Sequence, residues 1–295
     1  MQVNNGIETL AISCLATIGN KIMAVANGSL IFSTDNGENW NLSTVERLQR
    51  NVQCIHVFGS CIFAGTMEDG VFRSTDNGQN WTQVNEGLNS LNILSFTNNG
   101  SDIVVGTAEG FLGISSDKGN TWNSINTGFS MSNGFSIYAI LFKDDNIYVG
   151  YDFGVYLSTD KGLSWKAITT GIRGSRVKYL SIYDEYVFVC FREGGIFRAP
   201  YNKDYVWTNV TNGLISAVKD IAVIGPDVFV SVDEDKLYKT SNNGKDWAET
   251  NSCYSDHYYR HFCSNSTCLY EGSIEGDACF STPVIQSPGV YRNKS

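Results

Sequence analysis

Apolar residues recur along this chain in short runs, and Gly, Asn and Asp interrupt each run before it reaches helical length. Pairs of runs such as 52–57 with 61–65, or 138–142 with 147–150, are rich in Val, Ile, Phe and Tyr. That length and composition predict β-strands joined by tight turns. A third run follows each pair, opened by a turn residue: Gly70-Val-Phe-Arg, Gly154-Val-Tyr-Leu, Gly195-Ile-Phe-Arg, Asp235-Lys-Leu-Tyr-Lys and Gly289-Val-Tyr-Arg. Looser versions at Ser29-Leu-Ile-Phe and Gly110-Phe-Leu-Gly-Ile bring the number of units to seven.

The third run leads into a polar octet. Four copies are nearly identical: Ser33-Thr-Asp-Asn-Gly-Glu-Asn-Trp40, Ser74-Thr-Asp-Asn-Gly-Gln-Asn-Trp81, Ser115-Ser-Asp-Lys-Gly-Asn-Thr-Trp122 and Ser158-Thr-Asp-Lys-Gly-Leu-Ser-Trp165. Their aspartates Asp35, Asp76, Asp117 and Asp160 lie 41, 41 and 43 residues apart. Thr240-Ser-Asn-Asn-Gly-Lys-Asp-Trp247 is a weaker copy, and Pro200-Tyr-Asn-Lys-Asp-Tyr-Val-Trp207 keeps only the Trp. All six tryptophans therefore occupy one slot of one repeat. A fourth β-run starts at the Trp, and four short strands per repeat of about 41 residues describe a propeller blade. Labelling the strands A to D from the axis outward puts the octet on the C–D turn.

Gly recurs six residues after the Trp, at Gly87, Gly128, Gly171 and Gly213. Val3 and Gly6 fit the same register, with the Trp slot falling just before Met1. The expectation is thus an all-β, seven-bladed propeller over residues 1–295, a single domain. Its N-terminal strand, near Gln2 to Asn5, would complete a last blade whose other strands come from the C-terminus. Such closure removes exposed sheet edges.

Composition narrows the function classes. The chain carries 21 basic and 30 acidic residues, a net charge of −9, which disfavours a binder of nucleic-acid backbone. No run of 18 apolar residues exists, so the sequence holds no candidate helical membrane span. High Gly and aromatic content with few charges excludes a coiled coil or a disordered chain.

The octet Ser-x-Asp-x-Gly-x-x-Trp resembles the Asp box of the sialidase-like (BNR-type) propellers, over nearly the whole chain. In pattern the chain is closest to the non-catalytic sortilin-like and photosystem II assembly factor propellers. The resemblance implies a structural role for Asp35, Asp76, Asp117 and Asp160 with Trp40, Trp81, Trp122 and Trp165. It implies no cofactor, and no metal at the octets. Sialidases clamp a carboxylate with three arginines, the first in an Arg-Ile-Pro stretch that this sequence lacks. Xyloglucan hydrolases of the superfamily place carboxylates on two propellers, whereas one is expected here.

With octets on the C–D turns, the B–C and D–A loops share the opposite face, the usual binding face of a propeller. Glu68, Asp69, Glu109, Asp152 and Glu193 lie on B–C loops, and Arg173, Arg176 and Arg192 form a basic spot beside them. Phe153 offers a stacking surface. These residues are the candidate ligand site of a non-catalytic platform for a protein or glycan partner, monomeric or part of a larger assembly. A basic partner would be drawn to the acidic rim and oriented by the arginines. The rival reading is a glycoside hydrolase or sialidase relative using carboxylates of the same face.

The last repeat carries about 12 extra residues and four of the eight cysteines. Cys263 and Cys268 flank a turn-like stretch and could pair, leaving Cys253 with Cys279. Free thiols, or a metal site from His257, His261, Cys263 and Cys268, are the alternatives. Disulfides, and Asn-x-Ser/Thr acceptors at Asn27, Asn41, Asn99, Asn209 and Asn265, suggest a secreted or surface protein, although no signal peptide precedes the first repeat.

Overall fold

A computed structural model describes residues 12–35, 37, 39–128, 136–151, 154–172, 176–192, 194–201, 203–214, 218–224, 226–232, 236–250, 260–264, 269–273 and 278–280. The first blade consists of β1 (Ile12–Ile18), β2 (Lys21–Ala26), β3 (Ser29–Ser33) and β4 (Asn41–Leu42). The second is β5 (Val52–Phe58), β6 (Cys61–Thr66), β7 (Val71–Ser74) and β8 (Thr82–Gln83). The third is β9 (Ile93–Asn98), β10 (Ile103–Thr107), β11 (Phe111–Ser115) and β12 (Asn123–Asn126). The fourth is β13 (Ala139–Lys143), β14 (Asn146–Tyr151), β15 (Gly154–Ser158) and β16 (Lys166–Ala167). The fifth is β17 (Val177–Tyr183), β18 (Tyr186–Phe191), β19 (Ile196–Pro200) and β20 (Thr208–Asn209). The sixth is β21 (Val218–Ile224), β22 (Asp227–Val232), β23 (Lys236–Thr240) and β24 (Ala248–Thr250). Every sheet is an antiparallel meander in chain order.

The expected seven-bladed ring is corrected here: six complete four-stranded blades are present among the described residues, not seven. After the sixth, β25 (Arg260–Ser264), β26 (Leu269–Ser273) and β27 (Ala278–Phe280) form a three-stranded sheet, and no fourth strand joins it among the described residues. The tryptophans explain the number. Each complete blade has one, in its octet, and the last repeat has none. β25 packs against both β21 and β1, so this sheet fills the space between the sixth and first blades. The N-terminal segment expected to close it lies outside the described residues.

Strand B is heavily buried in every blade, and at every position in β2, β6, β10 and β22, because it is covered by a neighbouring blade on both faces. Outer strands of two to four residues present little free edge. Octets fix the outer turns. In the four close copies the Ser hydroxyl donates to Asp Oδ1 at 2.7–2.8 Å and accepts the Gly N–H at 2.7–2.8 Å. The same carboxylates accept the backbone N–H of Asn39, Asn80, Thr121 and Ser164 at 2.8–2.9 Å. Thr240 and Asn242 reproduce the pattern in the weaker copy.

The residue before the octet Gly is left-handed at Asn77, Lys118, Lys161 and Asn243. In three of these its carbonyl is held by a cation of the preceding blade: Lys21 Nζ to Asn77 O at 2.6 Å, Arg73 to Lys118 O at 2.6 Å, and Arg198 to Asn243 O. At the fourth, Lys161 itself reaches back to Asp102 at 2.9 Å.

These bonds set an acid limit. Asp35, Asp76, Asp117 and Asp160 are each held at about 2, against an ordinary value of 3.8. The largest causes are the Asn39 amide for Asp35, the Asn80 and Thr121 N–H groups for Asp76 and Asp117, and the Ser164 hydroxyl for Asp160. A depressed carboxylate stabilises the fold above its unfolded value and loses that contribution as pH falls through the folded one. Urea midpoints should therefore drop between about pH 4 and pH 2, and Asp76→Asn should flatten part of that drop. An identical profile for that variant would show that the octet carboxylates do not couple to folding.

Candidate functional site

β1, β5, β9, β13, β17 and β21 are the innermost strands, and their first residues lie on the face opposite the octets. There they border a cavity of about 770 Å³ at the mouth of the central channel. Blades four to six contribute Tyr138, Arg176, Lys178, Tyr179, Arg192 and Asp220 to its wall, and blades one to three contribute Cys14, Cys54 and Ser95.

A repeated irregularity builds this wall. In five of the six complete blades the A–B ladder slips by one residue just after strand A begins, leaving Ser13, Gln53, Leu94, Lys178 and Lys219 as bulges. A bulge turns the strand and re-aims side chains, so consecutive residues such as Arg176 to Tyr179 can all border the cavity. The residue after the bulge is Cys14, Cys54, Ser95, Tyr179 or Asp220. Three of these tie neighbouring blades together: Cys14 Sγ donates to Ile55 O at 3.7 Å, Cys54 Sγ to Ile93 O at 3.7 Å, and Ser95 Oγ to Ile137 O at 2.7 Å. Burial pushes the Cys14 thiol up to about 11 and raises Cys54 and Cys190 as well. All three are free protonated thiols, packing groups and not nucleophiles.

The cationic part of the wall comes from the fifth blade. Arg192 N–H donates to Arg176 O at 2.9 Å, joining the B–C and D–A loops there. The Arg176 guanidinium lies 5.7 Å from the Tyr138 ring centroid, and Lys178 Nζ lies 4.9 Å from that of Tyr179. Burial, then nearby Asp220, raises the Tyr179 hydroxyl, so it stays neutral. Three cations against one carboxylate among the described wall residues suit an anionic group with an aromatic or apolar neighbour.

Of the residues expected from sequence, Arg176 and Arg192 meet at this cavity. Glu68, Asp69 and Glu109 share its face but stand on the B–C loops, away from the wall. Asp69 is engaged by Arg47 at 3.2 Å, and Glu109 accepts the Ser90 hydroxyl. Asp152, Phe153, Arg173 and Glu193 lie outside the described residues. Tyr138, Lys178, Tyr179 and Asp220 were missed; the recurring triplets Ile12-Ser-Cys, Val52-Gln-Cys, Ile93-Leu-Ser, Val177-Lys-Tyr and Val218-Lys-Asp were the available signal.

The expected pairing of Cys263 with Cys268 and of Cys253 with Cys279, and the rival site with His257 and His261, fall on residues whose side chains are not described. Among the described residues no disulfide is found, Cys14, Cys54, Cys61 and Cys190 being free. Among the described residues no group of His, Cys, Asp and Glu is arranged to hold a metal. No described helix is long and apolar enough to cross a membrane.

Residues 69–193 match the sequence model of the sortilin family (Sortilin-Vps10; sortilin, neurotensin receptor 3). No curated protein matches the chain. Among solved structures, YCF48 from Cyanidioschyzon merolae superposes with a TM-score of 0.71 at 17% identity, over 96% of this chain and 98% of its own. The chain shares the β-propeller fold of this structure. A YCF48 bound to D1 peptide gives a TM-score of 0.76 at 13% identity, over 99% of this chain and 97% of its own. An ancestral GH74 enzyme gives 0.71 at 17% identity, over 95% of this chain but only 46% of its own. The resemblance read from the octets, to sialidase-like propellers and among them to the sortilin and assembly-factor types, holds.

Proposed function

We propose that this sialidase-like propeller, acting as one domain, is a non-catalytic recognition module for a protein partner. It takes an acid-bearing peptide segment into the channel mouth opposite the octets. The observation that carries this reading is the convergence of Arg176, Lys178 and Arg192 on one cavity. Guanidinium groups bind carboxylates through paired, charge-assisted hydrogen bonds, and a recessed wall strengthens them. The neighbouring structure of a YCF48 with a peptide supports a peptide ligand on this fold. The sequence-based expectation of a basic partner is thereby revised, because the rim carboxylates stand off the cavity wall.

Glycoside hydrolysis calls for two carboxyls flanking one bond; among the described residues, Asp220 is the carboxylate on this wall. The reading of a secreted or surface protein stays a proposal, supported by the exposed acceptors Asn27, Asn41 and Asn209.

Fluorescence anisotropy with labelled ten-residue peptides bearing two glutamates, against the same peptides with glutamines, tests the proposal. Arg176→Ala and Arg192→Ala should each weaken binding of the glutamate peptides by about tenfold to a hundredfold, as charged hydrogen bonds are lost. The glutamine peptides should bind weakly and be unaffected. Equal binding of both sets to all three proteins would refute the proposal.

A further inference from the structure

The binding face is polarised beyond the cavity itself. Its loops form one hydrogen-bonded arc from the second blade to the fifth. Gly70 N–H donates to Leu91 O at 3.0 Å, fastening the B–C loop of the second blade to the connection that follows it. Ala108 N–H donates to Asn92 O at 3.0 Å, and Ser136 Oγ donates to Ala108 O at 3.2 Å. Ile137 N–H donates to Thr107 O at 3.0 Å, and its neighbour Tyr138 lies under Arg176, which is bonded to Arg192.

Side chains change in kind along this arc. Cations stand at the fifth-blade end. Met67, Leu91 and Tyr138, exposed by 46%, 41% and 44%, make up half of the large exposed apolar side chains among the described residues. All three lie on B–C or D–A loops, whereas Leu163 and Val206 belong to the octet side and Leu42 to an outer strand. At the second- and third-blade end, next to Met67 and Leu91, stand the exposed carboxylates Glu68 and Glu109, while the cations there, Arg47 and Arg50, are paired with Asp69 and Glu46. Exposed apolar groups clustered on one face of a soluble protein mark an interaction site, and opposite charges at its two ends would set a ligand's direction.

We infer that the partner segment is a linear peptide of ordered chemistry, with carboxylates over the fifth blade, apolar side chains across the fourth and third, and a basic group over the second. This rests on the reading of the cavity as a peptide site. The peptide would lie along the arc, its acidic end in the cavity and its basic end at Glu68. The acidic rim then orients the same ligand that the cations anchor.

Four labelled ten-residue peptides separate the parts. The first has two glutamates, two leucines and two lysines in that order, spaced by Gly and Ser. The second runs the same blocks in the opposite chain direction. The third replaces the leucines by serine in the better-binding direction, and the fourth replaces its lysines by glutamine. Anisotropy is measured for wild type, Met67→Ser/Leu91→Ser, Glu68→Lys and Arg176→Ala, each checked for an unchanged melting temperature. Loss of the leucines and the Met67/Leu91 change should each cost about tenfold, and together little more, the mark of a direct contact. Glu68→Lys should weaken the lysine peptides by about threefold to tenfold and leave the glutamine peptide unchanged. If only Arg176→Ala matters and all peptides bind alike, the ordered-chemistry inference falls while the acid-binding site stands. If no peptide binds wild type at millimolar concentration, or Arg176→Ala binds like wild type, the site reading falls with it.

Discussion

Gly87→Ala is expected to remove more than about 4 kcal/mol of stability, while Gly128→Ala, one repeat later, removes about 1 to 2. Both glycines are left-handed, with φ of +89° and +71°, and both sit six residues after their octet Trp. The difference is what a methyl group would meet. At Gly87 it would stand 1.9 Å from the Trp122 carbonyl oxygen, in a backbone locked by the bond from Trp122 N–H to Glu86 O at 2.8 Å. No rotamer relieves a backbone overlap, so the second and third blades must part. At Gly128 nothing lies within 4 Å, and only backbone strain remains. Gly171, 2.7 Å from Trp207 O, should fall between them, and Gly213, with nothing nearer than 3.9 Å, beside Gly128. Urea denaturation of the four variants checks the order. Equal losses at Gly87 and Gly128 would show that left-handed strain alone explains the recurrence.

The same contact shows why the octet Trp recurs. Trp122, Trp207 and Trp247 direct the indole N–H to Val84 O, Ile168 O and Val210 O of the preceding blade at 2.8, 2.5 and 2.7 Å. Trp81 and Trp165 instead bond within their own octets, to Gly78 O and Gly162 O. The Trp of the third, fifth and sixth blades thus joins neighbouring blades, and the period was readable because the octet turn is built alike in every close copy. Strand order and octet position were legible for that reason.

The number of complete blades was misjudged from a part the period does not control. Gly289-Val-Tyr-Arg, read as a seventh third strand, lies outside the described residues, and the last sheet has three strands among those described. The candidate site was only half legible. Arg176 and Arg192 are separated by one A–B hairpin, and an antiparallel meander returns the chain to the same face, so sequence could bring them together. Lys178 and Asp220 reach the cavity through one-residue bulges, which reverse the inside–outside alternation that a strand pattern assumes. Glu68, Asp69 and Glu109 stand off the cavity wall because loop position fixes the face but not the distance from the axis.

Between pH 6.5 and about 4 the fold should lose about 3 kcal/mol through a single side chain, His56. His56 belongs to β5 on the channel side, stacked on Phe96 of the third blade with ring centroids 6.0 Å apart. Asn98 Nδ2 lies 2.8 Å from His56 Nε2; an amide donor there requires the neutral ring, protonated at Nδ1. Burial lowers the imidazole from 6.5 to about 4. A histidine held neutral in the fold favours it fully above 6.5. As pH falls the unfolded chain takes up the proton first, and the loss is complete near the folded value. This window lies above that of the octet aspartates, so the two losses separate on a pH axis. His56→Gln keeps an acceptor for Asn98 but cannot titrate, so its urea midpoint should stay level from pH 7 to pH 4.5 while that of the wild type falls. Parallel profiles would show that the ring is already charged in the folded state, with Asn98 turned to accept from it.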